Sequence, residues 1–567
     1  FGNYIEDRGL RWYEHSMFFK NRYRTPLSIA FAFVATHNHF VLDRGGKVFN
    51  RSAPVIKLPA GATESDHLAL LGLLNSSTAC FWMKQVFHNK GSTVDTRGAR
   101  QTTDAFENFY EFTGTGLKKF PIPDSKPLDL ATELDRLAQE RQAHLPAQLA
   151  SSLPLSRTDL DAHRAAAETL LRRMIAWQEE LDWRCYTLYG VTDRDLGHPD
   201  PPGIALGQRA FEIAMAREMA AGRLETTWFE RHRSEPVTEV PGHWPRDYRD
   251  LVERRIALIG SDRYIGLVEK PEYKRRWNLE PWEAQEKRAL RGWLLDRLEQ
   301  GRYWPEPRLA STRSIADRAQ TDADFMRVAE VYVGHPGFDV SALVAGLVAS
   351  ESVPFLPALR YKASGLRKRA VWEDTWRLQR REDAIDAQVE AELTRIDGET
   401  DEAYQARLET EQRRRRKTEV GDMAPPPKYR AADFLDNTCW RLRGPLDVPK
   451  ERFVSYPRCS RENDPSLVVG WAGRDPLQQA RALAEYYNDG VEQEGWQAAR
   501  STPLLAGLAE LIPWLKQWHN DIDPEFNERM GDFFDTFLRS ERQRHGLTQQ
   551  DLRAWAPPAT GRKRRRK

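Results

Sequence analysis

The sequence predicts an α+β module over residues 1–125, followed by a large, mainly α-helical C-terminal region. Three patterns carry that expectation. Large and small apolar residues alternate at strand spacing near Ile29, leucines recur at helical spacing beyond residue 126, and tryptophan-rich helical text fills the final segment. The 567 residues leave room for about three to four domains. Changes in character along the chain place these at 1–125, 126–200 (a helical spacer), 201–417 (helical) and 418–567 (helical, with a basic tail).

Within the first module, Ile29, Phe31 and Phe33 alternate with Ala30, Ala32 and Val34, the period of a strand. Phe40-Val41-Leu42 and Lys47-Val48-Phe49 flank Asp43-Arg44-Gly45-Gly46, which predicts a hairpin with a glycine turn. Residues 55–58 continue the strand-rich part. Thr63 and Asp66 have capping-box spacing for a helix that carries Leu71, Leu74, Thr78, Phe81 and Gln85. A polar loop is expected over 89–103, and Phe120-Pro121-Ile122-Pro123 closes the module.

Leu130, Leu134 and Leu137 then mark one helix, and a second over about 158–188 stops at Gly190. Helices are also expected over 206–221 and 281–299. Residues 378–417 are nearly all polar or charged and read as a solvated helix or linker running into Arg413-Arg414-Arg415-Arg416-Lys417. Pro425-Pro426-Pro427 marks a boundary. Leu504, Leu508, Leu511 and Leu515 share one helical face, with Trp514 and Trp518 beside it.

Composition narrows function. The net charge of +2 excludes a generally basic polyanion binder, so any nucleic-acid surface is a local patch. Cys80, Cys185, Cys439 and Cys459 form no Cys-x-x-Cys pair, which argues against a zinc ribbon or a disulfide framework and for a reducing cytoplasm. No run of about 18 apolar residues suggests a membrane span. The chain starts at Phe1, in the middle of what reads as a fold, and is read as N-terminally truncated.

Several strings point to a family. Leu70-Leu71-Gly72-Leu73-Leu74-Asn75-Ser76, followed later by Phe120-Pro121-Ile122-Pro123, is similar to the target-recognition domains of restriction-modification methyltransferases. Gln178-Glu179-Glu180-Leu181-Asp182-Trp183 resembles the helix that follows them in large adenine methyltransferases. The stretches 36–46, 88–101, 273–277, 450–457 and 514–520 together resemble the C-terminal part of PglX-type adenine-specific DNA methyltransferases of BREX and Pgl phage-defence systems. After Trp471-Ala472-Gly473 the family pattern continues with an aromatic residue, aspartate and histidine; this chain has Arg474-Asp475-Pro476 at what should be a helix start.

The resemblance implies that residues 1–125 are a target-recognition domain that reads double-stranded DNA. It implies S-adenosylmethionine as cofactor of the intact N6-adenine methyltransferase, other defence proteins as partners, and no membrane. The chemistry itself is not legible. Base flipping and methyl transfer call for a glycine-rich cofactor turn and an Asn/Asp-Pro-Pro-aromatic loop, and neither is found. Asp200-Pro201-Pro202-Gly203 lacks the stacking ring and joins two helical patterns, so it reads as a linker. The Rossmann-like methyltransferase domain is therefore expected to be absent from this chain, no S-adenosylmethionine is expected to bind it, and no catalytic or metal residue is assigned. His37 and His39 lack a third ligand at suitable spacing, and Asp521, Asp523 and Glu525 lack the calcium-loop glycine.

Base edges are read by Arg, Asn and Gln, and phosphates are held by cations. The segment 84–101 supplies Lys84, Asn89, Lys90, Ser92, Thr93, Arg97, Arg100 and Gln101, with Gly91 and Gly98 allowing close approach. A second set is Arg360, Lys362, Arg367, Lys368 and Arg369, flanked by Trp372 and Trp376. An ordinary solvated surface is the alternative for the first set, and a cation-rich helix end for the second. At the level of the whole chain, the alternatives are a stand-alone DNA-specificity subunit and a helical scaffold that binds no DNA.

Overall fold

The computed structural model describes residues 10–14, 23–93, 99, 104–152, 156–277, 279–524 and 527–556. They divide between two compact units, one of residues 19–289 and one of 290–567 together with the stretch before residue 19. The first unit holds strands β1 (Ser28–Phe31), β2 (Val34–Ala35), β3 (Phe40–Asp43), β4 (Val55–Ile56), β5 (His88–Gly91) and β6 (Phe109–Glu111). They build two antiparallel sheets of order β3-β1-β4 and β2-β6-β5. Ile29, Phe31, Phe40 and Leu42 enter one core with Leu68, Leu73, Met83 and Leu181. All of β1 is buried, so its alternation of large and small apolar residues reflects cover on both faces.

Two local expectations are corrected. No hairpin joins residues 40–42 to 47–49. Gly45 and Gly46 do take left-handed backbone angles, φ +96° and +79°. The chain beyond them leaves the sheet, however, and β3 pairs with β1, Phe31 opposite Phe40 and Ser28 opposite Asp43. Val48 is 71% exposed and has no apolar face to join. Nor is 63–86 a single helix. The predicted capping box of Thr63 and Asp66 opens α1 (Glu64–Leu74), but Ser76 accepts a hydrogen bond from the Ala79 amide and starts a second helix, α2 (Ser77–Val86).

Two long helices, α3 (Leu128–Ala143) and α4 (Arg157–Leu188), follow as the leucine spacing predicts, and Gly190 at φ +65° ends the second. Further helices are α5 (Ala210–Ala220), α6 (Arg246–Ser261) and α7 (Trp282–Leu298).

The second unit is not purely helical. Strands β7 (Ala310–Ser311), β8 (Ser352–Pro354), β9 (Phe453–Ser455) and β10 (Val468–Trp471) form a sheet of order β7-β10-β9-β8 with β8 and β9 parallel. Runs of two to four residues are too short to show a period-two pattern. The charged stretch forms a helical hairpin, α8 (Ala363–Glu392) and α9 (Asp401–Glu419), with Ile385, Val389 and Leu408 at its core. In α10 (Pro476–Glu494), Asp475 caps through a box with Gln478, and Pro476 fills the first turn, so the unusual triplet makes a well-formed helix start. Leu504, Leu508, Leu511 and Leu515 of α11 (Ala498–Trp518) are buried against α10 and α12 (Met530–Arg544), and Trp518 is 65% exposed.

Candidate nucleic-acid interface

The family-like strings of the first unit do structural work around the α1–α2 break. Asn75 exchanges hydrogen bonds with the Phe40 backbone at 3.0 and 3.1 Å, and Asn38 donates to the carbonyls of Leu74 and Ser76 at 2.8 and 3.0 Å. These bonds pin the break to β3. From α4, the Asp182 carboxylate accepts from the Ser77 amide at 2.8 Å and the Ser77 hydroxyl at 2.5 Å, supplying the acceptors that the start of α2 needs. Gly72 lets α1 lie against α3, since a Cβ there would stand 2.9 Å from that of Ala131.

Behind this junction Lys274 is fully buried among Asp182, Glu269 and Glu179 at 2.9, 2.9 and 3.2 Å. Burial works against its charge, but the three carboxylates outweigh it and hold the ammonium well above the usual lysine range. Tyr186 donates to Glu269 at 2.5 Å. The carboxyl of Glu179 is pushed up to about 7 by burial.

This scaffold carries β5 and β6. Lys84, at the end of α2, is buried; it donates to the Glu272 carbonyl at 2.5 Å and lies 5.0 Å from the Tyr110 ring centre. Burial lowers its pKa. Its ammonium therefore supports β6 from beneath and does not reach a surface partner, a correction to its expected place. The polar loop also begins later than expected, because His88–Gly91 is a strand. Asn89 donates to the Tyr110 hydroxyl at 3.2 Å and accepts from the Gly91 amide at 2.7 Å, so both ends of its amide are engaged. A bulge between Asn89 and Gly91, where Gly91 has φ +74°, turns Lys90 outward. Lys90 is exposed and pairs with Glu111. Ser92 is buried, and Thr93 is exposed. Arg97, Arg100 and Gln101 lie outside the described residues.

The second cation set is mostly engaged within the second unit. Arg360 is buried beside Asp447 at 3.9 Å and the Phe355 carbonyl at 3.4 Å. Lys368 binds Asp433 at 2.6 Å and the Lys428 carbonyl at 2.9 Å. Arg369 pairs with Glu510 and, at 2.7 Å, with Glu373. Only Lys362 and Arg367 of the five are exposed. In the 413–417 run, Arg414, Arg415, Arg416 and Lys417 have acidic partners, Glu411, Glu392, Asp386 and Asp422 among them.

Other chemistry finds little support among the described residues. No group of three or more His, Cys, Asp or Glu side chains is placed to hold a metal ion. His37 is buried and contacts the Thr36 hydroxyl at 3.1 Å and the Pro271 carbonyl at 3.2 Å; burial, then the charge of Lys84, sets its pKa well below the usual histidine value. The residues 200–203 form an irregular segment between α4 and α5. All four cysteines are free and buried. No described helix is long and apolar enough to cross a membrane. Sequence reasoning passed over His88 and Glu111, because His88–Gly91 and Phe109–Glu111 are too short and, at 88–90, too polar to signal a strand.

Residues 174–567 match a family model described as a domain of unknown function, DUF7008. Over 577 aligned residues the chain is 46% identical to the adenine-specific methyltransferase PglX of Streptomyces coelicolor, an alignment that covers 100% of this chain. The chain spans 45% of that relative's length. No solved structure matches it.

Proposed function

The chain belongs to the DUF7008 family, and from that premise and its 46% identity to the adenine-specific methyltransferase PglX we propose that it is the DNA-recognition and C-terminal portion of a PglX-type adenine-specific methyltransferase. In the intact protein, S-adenosylmethionine supplies the methyl group for a target adenine of duplex DNA, in concert with other phage-defence proteins. This portion binds the duplex and does not transfer the methyl group itself. One observation carries the reading: β5 offers exposed His88, Asn89 and Lys90 on a strand braced from below by Lys84 and Tyr110. A rigid strand that presents a cation and polar groups meets the geometric need of a groove or backbone contact. The hydrogen bonds of Asn89 favour a positioning role for it, leaving phosphate contact to Lys90.

The test is direct. The purified chain is mixed with duplex DNA, with and without S-adenosylmethionine. Retarded duplex without methyl incorporation is the expected result. Methyl incorporation, or no binding at any salt concentration, contradicts the reading.

A further inference from the structure

The sheet that bears Lys90 places two further groups beside it. Glu111 of β6 stands directly opposite Val34 of β2 on one side and His88 of β5 on the other. Directly opposed residues share a face, and Val34 is 46% exposed, so this face looks to solvent. The Phe33 amide donates to the Ser52 carbonyl at 3.1 Å, which draws the preceding loop alongside β2. The exposed Arg51 guanidinium rests 5.6 Å from the Phe33 ring centre. A cation–π contact of this kind uses the guanidinium charge and does not take up its N–H donors. Glu111 lies among these groups: the hydrogen bond from Lys90 holds its carboxyl below the usual range, and the charges of Lys90, His88 and Arg51 act in the same direction. Glu111 thus pairs with Lys90 and stands opposite His88, and the acid braces Lys90.

We propose that Arg51 and His88 extend Lys90 into a row of phosphate contacts on the solvent face of the β2-β6-β5 sheet, with Glu111 as the residue that positions Lys90. This rests on the reading of the chain as a DNA-recognition portion. It adds Arg51, from a loop some 40 residues away in sequence, and it assigns the row to the sequence-independent part of binding.

The affinity of the full chain for two unrelated duplexes is measured over a range of salt concentrations, for the wild type, Arg51→Gln and Arg51→Lys. A lost phosphate contact lowers the slope of log affinity against log salt by about one. Arg51→Gln is expected to show that decrease, with a several-fold loss equal on both duplexes, and Arg51→Lys to restore most of the slope. Salt-sensitive binding by the wild type with an unchanged slope for Arg51→Gln overturns the row and leaves the DNA reading intact. Absence of salt-sensitive binding by the wild type removes the DNA reading and the row together. Arg51 is exposed and, among the described residues, has its contact on the partly buried Phe33 ring, so a melting temperature close to that of the wild type serves as the folding control.

Discussion

At Glu179, burial and an incomplete set of hydrogen bonds act in the same direction. Lys274 stands 3.2 Å away, yet neither carboxylate oxygen has a hydrogen-bond partner, and the group is pushed up from 4.5 to about 7. For an acid whose folded pKa lies above its unfolded one, the protonated native state is favoured. That contribution is fully present below about pH 4.5 and is lost as pH rises through about 7. Glu179→Gln keeps the shape without the charge, and Lys274 retains Asp182 and Glu269. The variant is expected to be more stable than the wild type at pH 8, on the order of 1–2 kcal/mol, with little difference at pH 4.5. Urea denaturation at the two pH values checks this; a constant offset between the proteins would contradict it. Asp182 differs, because it satisfies both Ser77 and Lys274. Asp182→Ala removes one of the two 2.9 Å partners of the buried Lys274 ammonium and leaves the buried Ser77 amide and hydroxyl without their acceptor, and a loss of about 3 kcal/mol or more is expected in the same assay.

Elements depend on these residues in ways that spacing alone does not show. The leucines of α1 and α2 have continuous helical spacing, so a single helix is the natural expectation. The break arises because Asn75 exchanges bonds with Phe40 of β3, a neighbour only in the fold, while Ser76 caps the start of α2. Gly72 is the counterpart on the other side. Gly72→Ala forces α1 away from α3 and should cost about 1–3 kcal/mol, read as a lower denaturation midpoint. The α8–α9 hairpin was legible as charged helix, and its ion pairs explain why so many charges are tolerated. Its own apolar core is small, Ile385, Val389 and Leu408. Leu408→Ala should therefore destabilise it by about 2–4 kcal/mol. Amide exchange is expected to accelerate in α8 and α9 while protection in α11 stays unchanged. Uniform acceleration across the chain would show that the hairpin is not an independent opening unit.

For the molecule as a whole, long helices and their caps were legible because they rest on local spacing: Thr63, Gly190 and the leucine face of α11 all stand where periodicity puts them. The sheet of the second unit was not, since β7 and β10 meet across more than 150 residues and each is too brief to pattern. The candidate interface was legible in composition and not in geometry. Lys84, Arg360, Lys368 and Arg369 look like surface cations in sequence; burial and the partners Glu272, Asp447, Asp433 and Glu510 engage them. Which cations stay exposed is a property of the fold: Lys90, paired with Glu111, and Arg51 are exposed in the first unit, whereas Lys84 is buried. The most direct test is photo-cross-linking of the full chain to a duplex bearing a photoreactive base, with adducts located by mass spectrometry. Adducts on peptides that contain residues 88–93 are expected; a bound duplex whose adducts fall only on helices of the second unit, such as the 413–417 run, would contradict it.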